Sequence, residues 1–194
     1  MSKRLSTYSA WVVAIAAVAG GIWLLRRGRN STPTLVKEYD MRTNTKLPRG
    51  YRNNNPLNIR KSNEAWKGKV YIGNSDGTFE QFYDMAYGYR AALVLLRGPG
   101  YIGKGLNTIE KIITKFAPPE ENDTAGYIAD VSRMTGIPKD QVISRNDKDA
   151  LTAIVYAMSI CENGTKEVKP YSGNLKELYN LPNMEIINQG WELI

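Results

Sequence analysis

The chain has 194 residues, 26 of them basic and 19 acidic, with no histidine and a single cysteine, Cys161. Ser-His and Cys-His catalysis, a zinc site of the usual His/Cys kind and an internal disulfide are thereby excluded. Residues 1–30 hold five basic and no acidic residues (+5), leaving 21 basic and 19 acidic in residues 31–194 (+2), so nucleic-acid binding by the larger part loses most of its support. Acid–base chemistry falls to Asp, Glu, Tyr and Lys, and neither a metal nor a cofactor is expected.

Residues 5–25, LSTYSAWVVAIAAVAGGIWLL, form an uncharged run of 21 bracketed by Lys3-Arg4 and Arg26-Arg27. At about 1.5 Å per residue this crosses a hydrocarbon core of roughly 30 Å. Trp11 and Trp23 sit near its ends, as interfacial anchors would. The run is long for a signal-peptide core, and the arginines after it are wrong for a cleavage site, so a retained single-pass anchor is predicted. Ala16 with Gly20 and Ala17 with Gly21 allow close helix contact, and hence self-association in the membrane. The flanking charges leave the topology open. Residues 1–30 are thus read as the anchor, 31–47 as an aperiodic tether, 48–170 as a catalytic domain and 171–194 as a tail packed on it.

From Pro48 onward the pattern changes. Val70-Tyr71-Ile72 and residues 78–83 flank an Asp76-Gly77 turn and predict a small β-hairpin. Tyr89, Leu93 and Leu96 then share a helix face, which Gly98-Pro99-Gly100 ends. Asn107 and Glu110 suggest a capping box ahead of the stripe Ile109, Ile112, Ile113 and Phe116. A further helix runs from about Asp123 to Gly136 through Tyr127, Ile128, Val131 and Met134. In the tail, Leu175, Leu178 and Trp191 are expected to fold back. The expected class is α+β: a hairpin followed by four or five helices.

In the stretch from Asp147 to Gly164, Leu151, Ile154, Val155 and Met158 recur with helical spacing. Glu162 is the next position on that stripe, in the last helical turn. Burial and the negative end of the helix dipole both raise a carboxyl pKa, which suits a general acid for glycosidic cleavage.

RNNNPLNIR at 52–60, Trp66-Lys67-Gly68, residues 79–96 and TIEKIITKFAPPEENDTAGYIADVSRMTG at 108–136 resemble a phage family of lysozyme-like peptidoglycan-degrading proteins. There is also a distant similarity to flagellar-type glucosaminidases. The resemblance implies a lysozyme-like, mainly helical fold with a small hairpin beside a saccharide cleft. It also implies a phage context and a catalytic Glu at a helix end. The matching acid, Glu162, lies downstream of the hairpin, as if the elements were permuted.

Glu162 is therefore the expected catalytic acid, with Asp76, Glu80 and Asp84 as candidate second carboxylates. By strand alternation Glu80, Phe82 and Asp84 would share one face, opposite Phe79, Gln81 and Tyr83. Asn54, Asn55 and Asn58 carry both donors and acceptors for N-acetyl sugars, although turn formation before Pro56 also favours Asn. Trp66, Glu80, Tyr83 and Tyr127 complete the expected substrate contacts. The expected function is a membrane-anchored phage glycosidase, of lytic transglycosylase or muramidase type, acting on the peptidoglycan glycan strand. Its expected location is a virion internal membrane or the host inner membrane. The alternative is a non-catalytic virion membrane protein whose lysozyme-like domain binds glycan.

Overall fold

The structure is a computed structural model that describes residues 47–164 and 184–194. The sequence-predicted anchor, the tether up to residue 46, and Leu175 and Leu178 lie outside the described residues. Among the described residues no helix is long and apolar enough to cross a membrane.

Six α-helices make up the described fold: α1 (Arg49–Arg52), α2 (Met85–Arg97), α3 (Ile109–Phe116), α4 (Thr124–Thr135), α5 (Lys148–Asn163) and α6 (Met184–Glu192). Their ends follow capping chemistry. The side chains of Asp84, Asp123 and Asp147 accept from the Ala86, Gly126 and Ala150 amides, satisfying donors that a helix start leaves free. Gly136 ends α4 in the left-handed region. At α3 the cap is Thr108, which accepts from the Lys111 amide. The expected Asn107–Glu110 box does not form. Glu110 instead pairs with Lys139 at 2.7 Å, and the Asn107 carbonyl accepts from Ile143 N.

Tyr89, Leu93 and Leu96 of α2, Ile109, Ile112 and Ile113 of α3, and Leu151, Ile154, Val155 and Met158 of α5 are fully enclosed in one core. Each contributes roughly 1.5–3 kcal/mol through burial. Helix α2 packs against α5 and α6, while α4 bridges α3 and α5. Trp191 of α6 lies under the Arg97 guanidinium, 4.6 Å from the ring centre, and Lys148 pairs with Glu192 at 2.7 Å. Gly88 lets α2 lie directly on the Asn-rich turn, because a Cβ there would collide with the Asn54 carbonyl.

The expected α+β, lysozyme-like class with a hairpin does not hold: the described residues are mostly helical and contain no strand. Among the described residues two isolated antiparallel bridges form, Arg60 with Phe79 and Lys69 with Phe82. Phe79 thus pairs with a residue before Trp66, and not with the run 70–72 across the Asp76-Gly77 turn. The Asp76 carboxylate explains the difference. Its Oδ1 accepts from the Thr78 and Phe79 amides at 2.9 Å, closing the loop through a side chain in place of a two-residue hairpin turn. Arg49 holds the same carboxylate from two nitrogens at 2.7 Å, and Asn53 from a third at 2.8 Å. The expected alternation also fails, since Glu80, Gln81 and Phe82 are consecutive and all buried.

Burial alone would raise the Asp76 pKa, but the bonds from Arg49, Asn53 and the two amides outweigh it and hold the carboxyl well below the usual range. A depressed folded-state pKa adds stability above the unfolded value, and that stability is lost as pH falls. Asp76→Asn is therefore expected to flatten the acid side of the stability profile. Urea unfolding between neutral pH and about pH 3 would show it.

Candidate active site

Glu162 stands in the last turn of α5, half-buried, where the apolar stripe places it. Gly164, with φ 76°, is the C-cap that ends the helix immediately after. Two donors converge on the carboxylate. Asn58 Nδ2 lies 3.0 Å from Oε2, and the Tyr127 hydroxyl lies 3.1 Å from Oε1 and 3.4 Å from the Met158 carbonyl. These three residues come from the Asn-rich turn, α4 and α5, and each is only partly buried.

The local chain explains the convergence. Asn58 adopts φ 47°, a left-handed conformation that Asn tolerates better than most residues. Asn55, fully buried, donates to the Ile59 and Glu80 carbonyls and accepts from Ile59 N, which fixes the turn after Pro56. Asn163 then ties that turn to α5, its Nδ2 donating to the Pro56 carbonyl at 2.8 Å and to the Ser159 carbonyl at 3.0 Å. Only glycine fits at position 50 beneath them, since a Cβ would collide with Asn163 Oδ1 and sit 2.9 Å from Asn58 Oδ1.

Burial raises the Glu162 pKa, while the hydrogen bonds from Asn58 and Tyr127 act in the opposite direction without cancelling it. The Tyr127 hydroxyl is driven far above its ordinary value, first by burial and then by the Glu162 charge, so it keeps its proton and can donate it to the Glu162 carboxylate in a hydrogen bond. Burial, with Asp130 and Glu162 behind it, pushes the Cys161 thiol up to about 11, which leaves little thiolate at neutral pH. Among the described residues no three His, Cys, Asp or Glu side chains are grouped to hold a metal ion.

The remaining expected site residues are placed elsewhere. Asn54, with φ 50°, donates to the Phe82 carbonyl at 3.0 Å, and the Asn55 amide is spent on Ile59 and the Glu80 carbonyl. Trp66 packs against the hydrophobic core, and Tyr83 is exposed between the Lys69–Phe82 bridge and the α2 cap. Glu80 faces away into an ion pair with Lys69 at 2.8 Å. None of the three candidate second carboxylates bonds to the Glu162 group: Asp76 is held by Arg49, Glu80 by Lys69, and Asp84 caps α2. Sequence reasoning passed over Asn163. Its only signal was a polar side chain at i+4 from Ser159 and next to Glu162.

No family model matches the chain. Over 127 residues it is 42% identical to Protein P5 of Pseudoalteromonas phage PM2, an alignment that spans 64% of this chain and 74% of that one. The phage context expected from the sequence agrees with that relative, and the chain belongs to the family of this phage protein.

Proposed function

We propose that the protein cleaves the glycan strand of peptidoglycan for a phage, with Glu162 as the proton donor. The observation that carries this reading is a half-buried carboxyl whose pKa is raised by burial and whose two oxygens are each held by one neutral donor. Such a group can give its proton to a glycosidic oxygen, and the Asn58 and Tyr127 bonds then stabilise the carboxylate left behind. Among the described residues no second free carboxylate bonds to the Glu162 group, which favours intramolecular completion. As the glycosidic C–O bond breaks, the leaving oxygen takes the Glu162 proton. The C6 hydroxyl of the muramyl residue then bonds to its own C1 and returns a proton to Glu162. No water is consumed, and a 1,6-anhydro end results. Residues 5–25 would hold the enzyme at a membrane.

Purified sacculi incubated with the full-length protein test this reading. Released muropeptides lighter than the hydrolytic products by one water are the expected result, and sacculi left intact would reject it.

The tuning of Glu162 gives a second expectation. Activity requires the protonated form, so it should fall as pH rises through the Glu162 pKa. Removing a donor in Asn58→Ala or Tyr127→Phe takes away a stabiliser of the ionised form, which moves that falling limb to higher pH. Both variants are also expected to lose about tenfold or more in rate, because the carboxylate left after proton transfer keeps only one of its two donors. Initial rates across pH 4–8 would read both effects.

A further inference from the structure

Away from Glu162, a cavity of about 450 Å³ opens between residues 61–63 and residues 69–74, with Glu80 at its base. That is within the size range of small-ligand sites. Glu80 is 0% exposed, and its oxygens are treated very differently. Oε1 accepts from Ser62 N at 2.9 Å, Ser62 Oγ at 3.3 Å and Lys69 Nζ at 2.8 Å. Oε2 is buried and has no hydrogen-bond partner. Lys69 cannot supply one, because its other donors go to the Ser62 and Glu64 carbonyls. The pair is electrically balanced, so Oε2 calls for a neutral donor such as a hydroxyl or an amide N–H.

The rim defines what carries that donor. Tyr71 is 65% exposed, with Lys69 Nζ 5.5 Å from the ring centre on one face, and so presents aromatic surface to the opening. Aromatic surface beside buried polar groups suits a sugar ring, apolar on its faces and hydroxylated at its edge. Asn63 adds an exposed amide, and Lys61 an ammonium with no ion-pair partner among the described residues. Lys61 would receive a carboxylate substituent on that sugar. We infer that this cavity is a second saccharide-binding site, taking a 2-acetamido sugar whose carboxylate-bearing substituent lies toward Lys61. The inference deepens the glycan-cleavage reading and rests on it for the choice of polymer. The chain links the two sites closely. Asn58 touches Glu162 and Ser62 touches Glu80, and four residues span at most about 14 Å, so one glycan strand can engage both.

Calorimetric titration of the full-length protein tests the assignment, with tri-N-acetylchitotriose as the uncharged probe and an N-acetylmuramic-acid-containing disaccharide as the carboxylate-bearing one. Wild type and Glu162→Gln are expected to bind both equally well. Tyr71→Ala should weaken both by tenfold or more, and Lys61→Ala only the carboxylate-bearing probe. Wild-type affinity in Tyr71→Ala, an equal loss for both probes in Lys61→Ala, or no binding by the wild type would overturn the site. Tyr71-dependent binding together with sacculi that no form of the protein cleaves would sustain this site and reject only the Glu162 reading.

Discussion

Glu162→Gln is expected to lower the rate of muropeptide release by about 10²–10⁴, the usual share of a positioned general acid. The substitution keeps the size and planar shape of the side chain while removing the transferable proton. Packing around it should hardly change, because Tyr127 also bonds to the Met158 carbonyl, and Asn163 fixes the neighbouring turn through the Pro56 and Ser159 carbonyls without touching Glu162. Folded stability at neutral pH should be equal or higher. A half-buried carboxylate whose pKa is raised by burial opposes folding as it ionises, and Gln cannot ionise. A large loss of activity with an unchanged melting temperature is therefore the signature of a chemical role. A parallel loss of both would mark Glu162 as structural.

The second large effect is expected at Lys69. Its side chain is 11% exposed and that of Glu80 is 0%, and the pair is 2.8 Å apart. Lys69→Met keeps most of the buried aliphatic stem but leaves the Glu80 charge uncompensated inside the protein, a defect that costs about 3–5 kcal/mol. It also strips a donor from the Ser62 and Glu64 carbonyls that shape the loop. The double variant Lys69→Met/Glu80→Gln removes the stranded charge and should recover most of the loss. Chemical denaturation of the three proteins would measure this. If the double variant were as unstable as the single, the packing of the lysine stem, and not its charge, would be what matters.

The helices were legible because their information is local. An Asp before an apolar stripe and a Gly after it are enough to place α4 and α5, and the spacing from Leu151 to Met158 points directly to Glu162. The loop region was not legible in the same way. An Asp-Gly pair between short apolar runs is a sound hairpin signal. Whether it acts as one depends here on the Asp76 side chain, which caps the Thr78 and Phe79 amides and is held in place by Arg49, 27 residues earlier. Asn107 and Thr108 are both good caps, and only the geometry of the α3 entry decides between them. The meeting of Asn58 with Glu162 joins residues 104 apart, and the sequence could nominate each without linking them. Helix α6 went unpredicted because its apolar face is short and is completed by the Arg97 and Arg90 side chains packed against it.

Carbon-13 NMR titration of the Glu162 side-chain carboxyl, assigned by comparison with Glu162→Gln, measures most directly whether this group keeps its proton. A midpoint clearly above the ordinary glutamate value of about 4.3 is the predicted result, moving further up in Asn58→Ala. A midpoint at or below that value would leave Glu162 ionised under working conditions and contradict its role as proton donor.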